Sequence, residues 1–315
     1  MNRRFGTFFA LTLVLAIPYR SEGGVARTGQ VVMGTVLTIT VLAESTQEAR
    51  RLADAAVEEA RRWDDALTIW RPEGELQHLN ERAGRGEVVV GRRLGSGLQA
   101  MLTFEQATGG AFQPTMVIGG VAPRTVVVRT RRLSDVLRVA EDKAWLQEGV
   151  ALDPGGIGKG LALDAMVDAL RIQGVTSAFL DFGGSSQTAI GVPPGNAQGW
   201  GVLVAGWGSE TSHGTVSLRD ASLSTSRAGA KDTRAIEDPR TAQPVAQHRL
   251  ATVWAKKATD ADAWSTAMVV LGREGLKDAE RGGVRVLLED EMGVARTPDF
   301  STLPSEGGSR IEASP

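Results

Sequence analysis

Apolar residues alternate with small or polar ones along GQVVMGTVLTITVLAES (29–45), which predicts a strand. The period then changes. TQEARRLADAAVEEARRWDDAL (46–67) carries apolar residues at helical spacing, with Arg and Glu on the remaining face, and predicts a long helix. LTIWRPEGELQHLNERAG (67–84) reads as a turn and a short helix, and LGSGLQAMLTFEQATGGAFQPT (94–115) as a helix stopped by Gly109 and Gly110. Short strands are expected at 126–129 and 150–152. A helix over 159–173 with a stop at Gly174 follows, then the strand SAFLDF (177–182) and a glycine turn. GWGVLVAG (199–206), GTVSLRDASLSTS (214–226), LATVWAK (250–256) and GGVRVLLED (282–290) read as strands. TDADAWSTAMVVLGREG (259–275) reads as a helix opened by an acidic cap. Strands and helices mix without regular βα alternation, so the expected fold class is α+β rather than a doubly wound sheet.

Composition narrows the function. Of 315 residues, 42% are hydrophobic and 23% charged, which suits a globular chain able to bury a sizeable core. Lys and Arg total 35 against 37 acidic residues, so the overall field gives no sign of nucleic-acid binding. No cysteine is present, which excludes disulfides, thiolate metal sites and a cysteine nucleophile. The three histidines, His78, His213 and His248, share no short motif, which argues against a histidine zinc site.

MNRRFGTFFALTLVLAIPYR (1–20) places basic residues before an apolar run too short to span comfortably as a mature helix. It suits an export signal, with a buried helix as the alternative. The expected organisation is a leader or N-terminal anchor over 1–26, one domain over 27–302 and a loose tail over 303–315. The expected location is periplasmic or otherwise exported, with inner-membrane association if the leader is retained.

Two segments carry candidate chemistry. ALDPGGIGKGLALD (151–164) crowds glycines ahead of a helix and adds Lys159, an arrangement that lets backbone N–H groups approach an anion. It is neither a Walker A loop nor a Rossmann turn, because the spacing differs from both. A purely structural turn is the alternative. Asp262 and Thr266 stand four apart, so on a helix they share a face as a hard-oxygen pair suited to Mg²⁺ or Ca²⁺. The competing reading is capping by Asp260 or Asp262, with Thr266 bonding back to a carbonyl one turn earlier.

Eight segments then fall in one order: VMGT (32–35), LTIWRPEGELQHLN (67–80), TGGAFQPT (108–115), LDPGGIGKGLALD (152–164), LDFGGS (180–185), STS (224–226), EDPRTAQPV (237–245) and DADAWSTAMVVLG (260–272). Together they resemble the ApbE-type flavin transferases, FAD:protein FMN transferases, over roughly Gly29 to Asp299. The resemblance implies the mixed fold of that family with a ligand cleft between sub-domains. It implies an enzyme that binds FAD with Mg²⁺, splits the pyrophosphate and joins FMN to a Thr or Ser hydroxyl of an exported or membrane-bound acceptor flavoprotein subunit, releasing AMP. Carried over by position, Asp262, Thr266 and the carbonyl of Gly156 would hold the metal. Met33, Trp70, Ala111, Phe112, Gln113, Asp153, Lys159 and Ile236 would contact FAD. Trp70 offers a ring for stacking on flavin or adenine, or is an ordinary half-buried tryptophan.

The resemblance has departures. Ala235 stands where the family has a histidine associated with the acceptor hydroxyl, and Ala242, Gln113, Arg227 and Ser185 also differ from the usual residues. Glu237 or Asp238 of the same turn would then assist the hydroxyl. The alternative is a protein that binds FAD, or hydrolyses it slowly to FMN and AMP, without transfer.

Overall fold

The computed structural model of the chain describes residues 23–118, 125–126, 132–208, 211–229, 236–239, 241 and 243–303. Residues 1–22 of the expected leader, Ala235, Ala242, residues 127–129 of one expected strand and the tail beyond 303 lie outside the described residues, whereas residues 24–26 of that leader span belong to the first strand.

The single strand expected over 29–45 is a hairpin of β1 (Gly24–Val32) and β2 (Thr35–Ala43). Met33 and Gly34 turn it, with φ of 51° and 71°, a backbone that matches the twist of the strands on either side. Apolar residues flank the turn closely, so the period-two pattern runs through it. α1 (Thr46–Leu67) matches its predicted span, and the Ser45 hydroxyl caps it by accepting the Glu48 N–H at 3.1 Å. Its buried stripe, Ala49, Leu52, Ala53, Ala56, Ala60 and Trp63, is rich in small residues and lies flat on the hairpin.

Next come α2 (Glu75–Glu81), β3 (Val88–Val89) and α3 (Arg92–Ala107), which ends at Thr108 before two glycines at positive φ. β4 (Thr115–Ile118), β5 (Thr125–Val126), α4 (Leu133–Val136), β6 (Leu137–Ala140), β7 (Lys143–Leu146) and β8 (Val150–Leu152) follow. Their short strands make two three-stranded sheets, β3-β7-β6 and β5-β4-β8. The pattern missed β3, β6 and β7, whose runs of two to four residues are too short to establish a period.

The second half runs α5 (Gly158–Ile172), β9 (Ala178–Phe182), β10 (Ser186–Ile190), β11 (Trp200–Ala205), β12 (Ser212–Leu218), β13 (Ala221–Ala228), β14 (Glu237–Asp238), β15 (Gln243–Pro244), β16 (Arg249–Ala255), α6 (Ala258–Leu271), α7 (Leu276–Arg281), β17 (Arg285–Asp290) and β18 (Gly293–Arg296). The span 214–226, read as one strand, is β12 and β13 joined through Asp220 at φ 48°. β10 falls between the expected glycine turn and the next expected strand; SQTAI lacks an apolar alternation to announce it, yet all five residues are buried.

The main sheet has eight strands in the order β1-β2-β9-β10-β13-β16-β17-β18, every neighbour pair antiparallel. α1, α5 and α6 pack side by side on one face, and the β11–β12 hairpin covers part of the other. This mixture of elements is the α+β class expected. α6 is buried almost all round because it is held between the sheet and α5.

Candidate functional site

The site forms where α5 and α6 cross. At Gly160 an added Cβ would lie 2.6 Å from the Ala258 carbonyl oxygen and from the Thr259 Cα, so only glycine allows the two backbones this close. That approach lets the Gly160 N–H donate to Asp262 Oδ2 at 3.0 Å. Asp164, one turn further along α5, accepts the Ala258 N–H at 2.7 Å, the Thr259 N–H at 3.0 Å and the Thr259 hydroxyl at 2.6 Å. The acidic cap of α6 therefore comes from a neighbouring helix, not from Asp260 or Asp262, and the N-cap position itself is Lys257. Burial pushes the Asp164 carboxyl up from its ordinary value against these hydrogen bonds, and burial with the nearby Asp164 charge pushes Asp260 up as well. At the far end, Arg249 donates to the Val269 and Val270 carbonyls at 2.9 and 2.7 Å. Opposite charges thus bracket the α6 dipole and fix the helix that carries Asp262 and Thr266.

Asp262 is 2% exposed. Its Oδ1 accepts the Ser224 hydroxyl at 3.0 Å and the Ser186 hydroxyl at 3.3 Å, and the Lys159 ammonium stands 3.5 Å away. Ser186 and Ser224 are directly paired across β10 and β13, with hydroxyls 3.2 Å apart. Ser265 donates to the Asp262 carbonyl at 2.9 Å and exchanges a 2.8 Å bond with Ser226. The Thr266 hydroxyl sits 3.4 Å from the Asp262 carbonyl and 3.5 Å from the Ser226 hydroxyl. The back-bond of the competing reading is thus present at Thr266, but it is long, and the same hydroxyl faces the glycine loop. A Cβ on Gly156 would lie 3.0 Å from that hydroxyl and 3.1 Å from the Phe112 ring, so Gly156 presses against Thr266.

The loop holding Gly156 is tied down on both sides. Asp153 donates its N–H to the Pro114 carbonyl at 2.8 Å and accepts the Gly155 N–H on its carboxylate at 2.8 Å. Just upstream, the buried Asn80 amide brackets Leu152, accepting its N–H at 2.8 Å and donating to its carbonyl at 3.0 Å. The Thr108 hydroxyl accepts the Phe112 N–H at 3.0 Å, placing Ala111 and Phe112 in the core with Gln113 half-buried beside them. Met33, held at its strained φ, lies with its methyl 3.2 Å from the point a Cβ on Gly158 would occupy.

Of the residues expected at the site, Gly156, Phe112, Lys159, Asp262 and Thr266 are directly gathered, with Asp153 in the same loop and Met33 against the first turn of α5. Trp70 is not a half-buried tryptophan. It is 87% exposed on the connection between α1 and α2. Glu237 and Asp238 form β14, paired with Gln243 and Pro244, while Ile236 packs on the main core. Among the described residues no cluster of three His, Asp or Glu side chains could hold a metal alone. A cation at this crossing would draw on mixed oxygen donors: one buried carboxylate, one hydroxyl and one loop carbonyl. That donor set fits Mg²⁺ or Ca²⁺, which bind oxygen and retain positions for water or phosphate.

The sequence reading missed Asn80, Ser186 and Ser265. The spacing of Ser222, Ser224 and Ser226 carried a usable signal, since residues two apart in a strand share a face.

The ApbE family model matches residues 33–288. The chain belongs to the ApbE family. Among curated proteins, a FAD:protein FMN transferase of Treponema pallidum is 30% identical, covering 81% of this chain and 82% of the relative. Another of that name from Klebsiella pneumoniae is 27% identical over 71% of this chain and 76% of its own length. Among solved structures, the ApbE protein of Thermotoga maritima superposes with a TM-score of 0.75 at 22% identity, covering 87% of this chain and 97% of that one. The apo flavinyl transferase ApbE of Pseudomonas stutzeri gives 0.70 at 22% identity, covering 87% and 94%. These structures share the fold.

Proposed function

We propose that this protein is a FAD:protein FMN transferase that moves FMN from FAD to a Ser or Thr hydroxyl of an exported or membrane-bound flavoprotein, with Mg²⁺ assisting and AMP leaving. The observation that carries the reading is the convergence of Asp262, Thr266, Gly156 and Lys159 at one helix crossing in a chain of this family. When bound there, a divalent cation would offset pyrophosphate charge and the charge that grows on the departing AMP. Asp262 and Thr266 would supply side-chain oxygens and Gly156 its carbonyl. Lys159 and the positive end of the α5 dipole would grip the phosphates. The acceptor oxygen attacks the phosphorus of the FMN half, the bond from that phosphorus to the bridging oxygen breaks, and the hydroxyl proton passes to Glu237 or Asp238. Met33, Ala111, Phe112, Gln113, Asp153 and Ile236 would shape the walls of the FAD cleft. Trp70, with its ring open to solvent, would close over flavin or adenine.

Ala235 favours a second reading, in which FAD is bound or cleaved to FMN and AMP without transfer, since losing a general base costs about 10²–10⁴ in rate. One incubation decides between them: the protein, FAD, Mg²⁺ and an acceptor domain carrying a Ser/Thr-Gly-Ala-Thr segment, read as in-gel flavin fluorescence and as AMP by chromatography. A fluorescent acceptor band supports transfer. AMP without a band supports the hydrolase, and neither product alongside bound FAD leaves a flavin-binding protein. The basic-then-apolar segment 1–20 supports action outside the cytoplasm. Fractionation that finds the full-length chain in the cytoplasm would reject that location.

A further inference from the structure

Oδ1 of the Asp262 carboxylate is fully subscribed. A carboxylate offers about four lone-pair sites, two on each oxygen, and here the Gly160 N–H takes one on Oδ2 while the Ser186 hydroxyl, the Ser224 hydroxyl and the Lys159 ammonium converge on Oδ1. A cation seeking Oδ1 must displace a donor already present. Three of the four are fixed: Gly160 by the helix crossing, Ser186 and Ser224 by opposite places in the main sheet. Lys159 is the exception. Its contact is the longest at 3.5 Å, its side chain is 23% exposed against 3% for Asp262, and it alone of the four carries a full positive charge.

We propose that Lys159 is a latch on the metal site, occupying Asp262 until a divalent cation displaces it, whereupon the freed ammonium turns to the anionic phosphates of the nucleotide. This rests on the reading of Asp262 as a metal ligand. The latch keeps a buried carboxylate paired before substrate arrives, avoiding the cost of an isolated charge in the interior. It also couples the two ligands, because a phosphate that attracts Lys159 clears Asp262 for the cation, and the cation that takes Asp262 releases Lys159 for the phosphate. Lys159 belongs to the first turn of α5, at the positive end of the helix dipole where an anion is favoured, so the released ammonium needs to travel little.

The test uses Mn²⁺ as the probe and the full purified chain without nucleotide. Free Mn²⁺ is titrated by electron paramagnetic resonance against the wild type, Lys159→Met, Lys159→Arg and Asp262→Asn, each checked by circular dichroism. Lys159→Met is expected to bind Mn²⁺ about tenfold tighter than wild type, within the usual range of coupling between sites. Lys159→Arg, which keeps a positive charge, stays near wild type. In parallel, labelling of wild-type lysines with an amine-reactive reagent is mapped by mass spectrometry. Mg²⁺ saturation should raise labelling at Lys159 several-fold and leave the exposed Lys256 and Lys257 unchanged. Unchanged Mn²⁺ affinity in Lys159→Met, or Lys159 labelling indifferent to Mg²⁺, overturns the latch. If Asp262→Asn binds Mn²⁺ as well as wild type does, the metal assignment falls and the latch with it. If binding depends on Asp262 but not on Lys159, the latch alone falls.

Discussion

The two faces of the main sheet are buried differently at β10 and β13. Beneath the β11–β12 hairpin the filling is apolar: Phe179 and Trp200 stack with ring centroids 5.5 Å apart, joined by Val202, Val216, Leu218 and Leu223. Beneath α5 and α6 the same strands present a row of hydroxyls, Thr188 bonded to Ser222 at 2.8 Å and Ser186 to Ser224 at 3.2 Å, leading to Asp262. Buried polar groups lower stability unless fully paired. The hairpin face could be filled by many apolar residues of similar volume, whereas the helix face holds a paired network that stability alone does not require. Under the proposed function the helix face is the one that carries the chemistry. The division of faces also separates His248 and His213 from it. Arg249 points to α6, so by strand alternation His248 lies on the hairpin face, where it stacks on Trp207 at 4.7 Å. His213 is on that side too, bonded to Glu289 at 2.8 Å.

The sharpest break of the comparison is Asp262→Ala. It strips four donors of their acceptor, and transfer and AMP release are expected to fall about 10²–10³-fold, as when a key electrostatic group is removed from an active site. Unaltered AMP release under saturating FAD and Mg²⁺ would refute the importance of the helix face. Gly160→Val comes next. A side chain there meets backbone 2.6 Å away and must part α5 from α6, so unfolding in urea should show a loss of about 3 kcal/mol. Metal affinity should fall with it, because the N–H that orients Asp262 moves away.

A smaller effect is expected from Asp164→Ala, which removes the cap of α6 and should cost about 1–2 kcal/mol. This contribution has an inverted pH dependence. Burial raises the folded-state pKa of Asp164 above its unfolded value, so folding takes up a proton in the window between the two. The benefit of the group is full below the unfolded value and declines as pH rises through the folded one. The stability gap between wild type and Asp164→Ala should therefore narrow as pH climbs out of the acid range. A gap that widens over that range would show that the cap is held as a fully ionised carboxylate throughout. The smallest effect belongs to His248→Ala on the apolar face: transfer within about twofold of wild type, with the loss confined to stability at roughly 1 kcal/mol, the scale of one aromatic contact. A tenfold loss of transfer would mean that the two faces are coupled.

Local pattern was enough for the elements whose signal is carried within a few residues. The 3.6-residue period and the serine cap delimited α1, the glycine pair ended α3, and the crowded glycines flagged the loop before α5. Eight short segments in order also pointed to the family. Tertiary structure decided the rest. A turn as compact as Met33–Gly34 has no polar cluster to announce it, and β10 is legible as a strand only once covers on both faces bury its polar residues. The cap of α6 comes from Asp164, 94 positions before Ala258, and the donors around Asp262 come from α5, β10 and β13. Sequence determines what a residue can donate or accept and the period on which it sits. Which partner it meets is set by how helices cross and strands register, and at Asp262 that crossing makes one carboxylate the meeting point of four donors.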